Sequence, residues 1–191
     1  MKIQKVLLIG DSIRVGYCPF VKENLKDCCD VYYPEDNCRF TQYTFVNLKN
    51  WVGLAGNPEE VSVIHWNNGH WDIAHWDKSP ASLNSVEQYA EMLERIYRRL
   101  VNYCPNAKII FALTTAMNPA NLEGVNPRTN SEVARYNEAA VNVMNKLGVE
   151  VNDLYSVTAG FSASEYIDHT HFTEDGYKVL ADKVTEKIWK I

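Results

Sequence analysis

The chain has 191 residues, 46% of them hydrophobic and 23% charged, the proportions of one ordinary globular domain and not of a disordered or fibrous chain. Nineteen basic against 24 acidic residues leave a net charge of −5, which repels nucleic acid, and no apolar run approaches the roughly 20 residues that cross a bilayer. Folding at this length removes roughly 70% of the unfolded chain's accessible surface, so a core can form without disulfides or metal.

The first segment, Val6-Leu7-Leu8-Ile9 stopped by Gly10, reads as a strand buried on both faces and not as a signal peptide. Val31-Tyr32-Tyr33, Val61-Ser62-Val63-Ile64, Ile109-Ile110-Phe111-Ala112-Leu113 and Val149-Glu150-Val151 repeat the pattern, giving five strands. Helical periodicity lies between them. Tyr89, Met92, Leu93, Ile96, Leu100 and Tyr103 form one apolar stripe, and residues 41–51, 133–147 and 176–189 show similar spacing. Strands alternating with helices predict a single α/β domain over residues 1–191, with helices on both faces of a mostly parallel five-stranded sheet. The Pro- and Asn-rich residues 117–130 read as a surface loop near the crevice. Five cysteines, Cys18, Cys28, Cys29, Cys38 and Cys104, are an odd number without a CxxC pair, which suits a reducing, cytoplasmic setting better than a disulfide framework.

In such sheets the functional crevice lies beyond the carboxyl ends of the strands. Ser12 follows the first strand by two residues, where a strand-to-helix turn exposes a hydroxyl and the first N–H groups of the helix face an oxyanion. Asp and Ser also cap helices, and the same residues fit that role. Gly10 and Gly16 enclose five residues, which matches neither common nucleotide-binding fingerprint. Late in the chain, Asp168-His169-Thr170-His171 precedes a helix that Thr173 would cap. A serine needs an imidazole to take its proton, and the imidazole needs a carboxylate to orient it. Asp168 and His171 can supply both, or they can serve a local capping turn.

Gly10-Asp11-Ser12, an Asn-containing turn after the third strand and a late Asp168-x-x-His171 together resemble, in order and separation, the SGNH or GDSL-type hydrolases. The resemblance spans nearly the whole chain. It implies a three-layer α/β/α, flavodoxin-like fold and hydrolysis of small carboxylic esters, short acyl or acetyl groups among them, some on carbohydrates, without metal or organic cofactor. It implies Ser12 as nucleophile and first oxyanion donor, with Asp168 and His171 completing a triad. The family's third block reads GxND, and here two registers fit, making either Asn67 or Asn68 the amide donor. The second block usually holds a Gly whose N–H completes the oxyanion hole; counting back from Val61 reaches Cys38-Arg39 instead. The Arg39 N–H becomes the candidate, with its side chain over the site.

His65-Trp66, His70-Trp71 and His75-Trp76 recur every five residues. That spacing converges on neither a helix face nor a strand face, which argues against a metal cluster. Trp71 and Trp76 instead suggest an aromatic rim, or simple packing of the loop. Tyr17, His70 and Trp71 are candidates for substrate contact. Two other classes compete with an esterase. One is a ligand-binding module with a decayed site, suggested by the missing Gly. The other is a signalling domain with Asp11 as phosphoacceptor, which lacks the expected late lysine.

Overall fold

The computed structural model describes residues 4–120 and 124–190. Five parallel strands stand in the order β2-β1-β3-β4-β5: β1 Gln4–Ile9, β2 Cys29–Tyr32, β3 Val61–Trp66, β4 Lys108–Ala112 and β5 Glu150–Asn152. The helices are α1 Ser12–Asn24, α2 Thr41–Val52, α3 His70–Ile73, α4 Val86–Tyr103, α5 Asn130–Leu147, α6 Leu154–Ala159 and α7 Glu174–Trp189. The α/β class and five-stranded sheet read from the sequence are the architecture observed. Cys29–Tyr32 begins two residues earlier than the apolar run suggested, and the short α6 had no periodic signal.

Side chains alternate along β1 and divide the core. Val6 and Leu8 face a layer built from Ile13, Tyr17 and Val21 of α1 and Leu180, Val184 and Ile188 of α7. Leu7 and Ile9 face the opposite layer, where Leu48 of α2, Tyr89, Leu93, Ile96 and Leu100 of α4, and Val133, Ala140 and Met144 of α5 pack. Each fully buried Leu or Ile contributes roughly 1.5–3 kcal/mol, and these two layers hold the sheet between the helices. The α4 and α5 starts are fixed by reciprocal capping boxes, Ser85 with Gln88 and Thr129 with Glu132, and Thr173 caps α7.

The carboxyl ends of β1 and β3 gather the loops that matter for function. The Asn67 N–H donates to Ile9 O (2.9 Å), and the Cys38 N–H donates to Gly10 O (3.1 Å), so the segments after β2 and β3 both rest on the end of β1. Residue 10 has to be glycine, because a Cβ there would lie 2.8 Å from the Arg14 Cβ. All five cysteines are free thiols. No helix among the described residues is long and apolar enough to cross a membrane.

Candidate active site

Asp11 caps α1, accepting the Ile13 N–H at 3.0 Å, and this makes Ser12 the first helical residue. The capping role read as an alternative for this segment is therefore carried by Asp11, and the Ser12 hydroxyl is left over. Its Oγ lies 2.9 Å from His171 Nε2, and His171 Nδ1 lies 2.7 Å from Asp168 Oδ2. His171 and Asp168 share one turn before α7. An isolated antiparallel bridge between Tyr166 and Phe172 closes that turn, and the Ile167 N–H donates to His171 O at 2.9 Å. The Asn118 amide donates to Asp168 O (2.9 Å), and its N–H donates to His169 O (3.1 Å), so Asn118 braces the turn.

Burial pushes the Asp168 carboxyl upward, but the backbone N–H groups of His171 and Thr170 and the His171 ring outweigh it and hold it down at about 2. The carboxylate thus stays charged and fixes the imidazole with Nδ1 protonated, which leaves Nε2 to accept from the serine. His169, the other ring in this turn, sits farther from Asp168, at 3.8 Å. Asp11 is fully buried and its pKa is raised by that burial; a carboxyl so enclosed is no phosphoacceptor.

The segment before α2 is held by a side chain that the sequence did not single out. Arg14 is buried, and its guanidinium donates to Pro34 O (2.7 Å), Asp36 O (2.5 Å) and Gly10 O (3.2 and 3.3 Å). It clamps residues 34–38 against the end of β1. Arg39 follows with φ at +51°, a left-handed backbone that explains why glycine is the usual resident of such a turn. Its N–H donates to Asn37 Oδ1 at 2.9 Å and is not free for an oxyanion, a correction to the simple reading of Arg39 as donor. Its guanidinium does not cover the serine: it lies 4.6 Å over the Tyr43 ring, 5.9 Å from Trp71 and 4.0 Å from Asp36.

The two asparagines divide clearly. Both amide hydrogens of Asn68 are engaged, with Arg39 O (3.0 Å) and Thr44 Oγ1 (2.9 Å), its Oδ1 accepts from Trp66 Nε1 (2.7 Å), and the residue has no exposure. Asn67 donates one amide hydrogen to Ala112 O at 3.1 Å and keeps the second without a partner among the described residues. The Ser12 N–H also has no partner there.

A cleft of about 270 Å³ opens at Ser12 and His171, lined also by Asn37, Trp71, Ala74, Trp76, Asn126, Arg128 and His169. Trp71 and Trp76 lie 5.1 Å apart with their rings tilted by 45°, and both line the cleft. Tyr17 and His70 need correction as substrate contacts. Tyr17 is buried in the core beneath the sheet's end, its hydroxyl 3.4 Å from His65 Nδ1. His70 is buried and accepts on Nδ1 from Arg128 Nε (3.2 Å), so its Nε2 carries the proton toward Thr115 Oγ1 (2.9 Å). Burial and the Arg128 charge both push its pKa down, keeping it a neutral acceptor. The three pentad histidines disperse: His65 bonds Tyr17 and Asn152, His70 bonds Thr115 and Arg128, and His75 bonds Glu132 and Ser79 O. No group of three metal-ligating side chains converges among the described residues.

Residues 8–179 match the profile of the GDSL-like lipase/acylhydrolase family. No curated protein matches the chain. Solved structures share its fold. An acetyl xylan esterase, AlAXEase, is 16% identical with a TM-score of 0.78, over 96% of this chain and 99% of that one. A lipase/acylhydrolase from Enterococcus faecalis is 20% identical with a TM-score of 0.75, over 97% and 95%. An acetyl xylan esterase from Geobacillus stearothermophilus is 15% identical with a TM-score of 0.73, over 98% and 97%.

Proposed function

The chain belongs to the GDSL-like lipase/acylhydrolase family, hydrolases of acyl esters, and on that premise we propose that it is a serine esterase whose triad is Ser12, His171 and Asp168. The observation that carries this reading is the continuous hydrogen-bonded line from Ser12 Oγ through the His171 ring to Asp168, with contacts of 2.9 and 2.7 Å. Ser12 Oγ attacks the ester carbonyl as its proton passes to His171 Nε2. The imidazolium, stabilised by Asp168, then protonates the leaving alcohol, and the neutral ring next activates the water that releases the acid.

The oxyanion is received by the Ser12 N–H and the spare amide hydrogen of Asn67. Asn68 is a positioning residue that ties the Arg39 turn to β3. The Arg39 N–H becomes a third donor only when the Asn37 side chain turns away. The small cleft and its tryptophan wall favour short acyl groups such as acetyl, in keeping with the acetyl xylan esterases that share the fold.

Labelling with a fluorophosphonate tests the reading, because only an activated serine is modified. One equivalent is incorporated at Ser12 and none in Ser12→Ala. Absence of labelling in a folded protein would favour the binding-module reading, to which the engaged Arg39 N–H lends its weight.

A further inference from the structure

Beside the serine cleft lies a larger cavity of about 430 Å³, and the two share Arg128 and His169 as a common wall. The rest of its lining includes His75, Lys78, Asn118 and Asn130. In a chain of net charge −5, Arg128, Lys78 and two histidines line this one cavity, with no acidic residue in its lining.

Arg128 has no carboxylate within ion-pair distance among the described residues. Its partners are neutral: His70 Nδ1 (3.2 Å), Asn126 O (3.3 Å) and Thr170 Oγ1 (3.1 Å). A guanidinium carries five N–H donors, so two remain. Burial lowers its pKa to about 10, which leaves it charged at neutral pH. Of the nearby acids, Asp168 is committed to His171 and Glu132 to His75 and Thr129, and Asp11, whose charge acts on the guanidinium, is fully buried and makes no ion pair with it. Lys78, which also lines the cavity, makes no ion pair among the described residues. It stands in a left-handed pair, Asp77 at φ +53° and Lys78 at φ +58°, and two successive non-glycine residues in that region cost on the order of 1–3 kcal/mol each. Such strain is retained where a side chain has to be aimed.

We propose that this cavity is an anion subsite, holding a carboxylate or similar anionic group on the alcohol portion of the ester, with Arg128 as its fixed donor and Lys78 as its outer one. The proposal rests on the esterase reading for its place in catalysis: an acyl group at Ser12 and an anionic alcohol beyond the Arg128 wall make the substrate an acyl ester of a hydroxy acid. Arg128 also reaches the triad through Thr170, whose N–H donates to Asp168 Oδ1 at 2.7 Å.

The test separates binding from turnover. On Ser12→Ala protein, calorimetry compares 4-hydroxybenzoate and 3-(4-hydroxyphenyl)propanoate with their neutral amides. At least one acid binds about tenfold tighter than its amide, the size expected of one charge-assisted hydrogen bond. Lys78→Gln narrows that ratio several-fold while the amide affinity holds. Equal binding of acid and amide in both pairs, or a ratio that Lys78→Gln leaves intact, overturns the subsite. Turnover of neutral p-nitrophenyl acetate by the intact protein reports on the triad alone, so its absence removes the esterase reading without touching the binding result.

Discussion

Ser12 Oγ and His171 Nε2 lie 2.9 Å apart although 159 positions separate them in the chain. The contact is made by the packing of α1 on α7 against one face of the sheet, which brings the start of the first helix under the turn that precedes the last. Single substitutions within such a unit are strongly non-additive, since each member is useless without the others. Ser12→Ala, His171→Ala and the double variant should therefore each lower kcat for p-nitrophenyl acetate by several orders of magnitude and to nearly the same floor. Circular dichroism should show the fold unchanged. A double variant much slower than either single one would mean that the two side chains act separately.

Asn67 and Asn68 offer a sharper division. Removing one oxyanion donor costs on the order of 10²–10³ in kcat. Asn67→Ala should do that with little change in KM, while the loss of its one buried hydrogen bond to Ala112 O lowers stability by only about 1 kcal/mol. Asn68→Ala breaks three buried hydrogen bonds and should chiefly lower stability, by about 3 kcal/mol. If the Asn68 variant melts normally but loses kcat a hundredfold, the assignments are reversed.

Much of this was legible in the chain. The strands announce themselves as short apolar runs, the apolar stripe marks α4 and the cap at Thr173 the start of α7, and the order of Ser12, the Asn turn, Asp168 and His171 suggests one site. The choice between Asn67 and Asn68 was not legible, because adjacent residues at a strand exit point to opposite sides and only the register with β1 and β4 says which is which. Tyr17 and His70 looked like pocket residues because they sit next to the motifs, yet helix geometry turns Tyr17 into the core. Arg14 and Arg128 escaped notice because their partners are mostly backbone carbonyls and neutral side chains 20 or more positions away, which no local pattern records. Arg128 did leave one trace, as the lone basic residue of the 117–130 loop.

Arg14 gives a prediction of its own. Arg14→Met keeps the apolar stem but strands the buried Pro34 O, at about 1–3 kcal/mol for an unpaired acceptor, and frees the half-buried Asp36 O, while Gly10 O keeps the Cys38 N–H. The variant should melt at lower temperature and lose kcat out of proportion to KM, because Asn37 drifts from the cleft. Hydrogen exchange should locate the loosening in residues 34–40. Unchanged exchange there would assign Arg14 to simple core filling.

Asp72 sets a pH dependence that is separate from catalysis. Its Oδ1 accepts from the Thr41 N–H (3.0 Å), Thr41 Oγ1 (2.7 Å) and Asn84 Nδ2 (2.6 Å), which fixes the start of α2, while Oδ2 is buried with no partner among the described residues. Burial raises its pKa to about 6, against the pull of those hydrogen bonds. The folded state therefore holds the proton more tightly than the unfolded chain, whose carboxyl titrates near 3.8. From about pH 4 to about pH 6 the contribution of Asp72 to stability declines, and above pH 6 the cost of the buried charge levels off at about 3 kcal/mol. Asp168, held at about 2, shifts stability in the opposite sense and below this window, so the two do not overlap. Asp72→Asn keeps the acceptor and carries no charge. Its stability relative to the parent, measured by urea unfolding, should be near zero at pH 4 and should rise to as much as about 3 kcal/mol in favour of the variant at pH 7. A difference that stays constant across that range would show that Asp72 ionises in the fold as it does in the open chain.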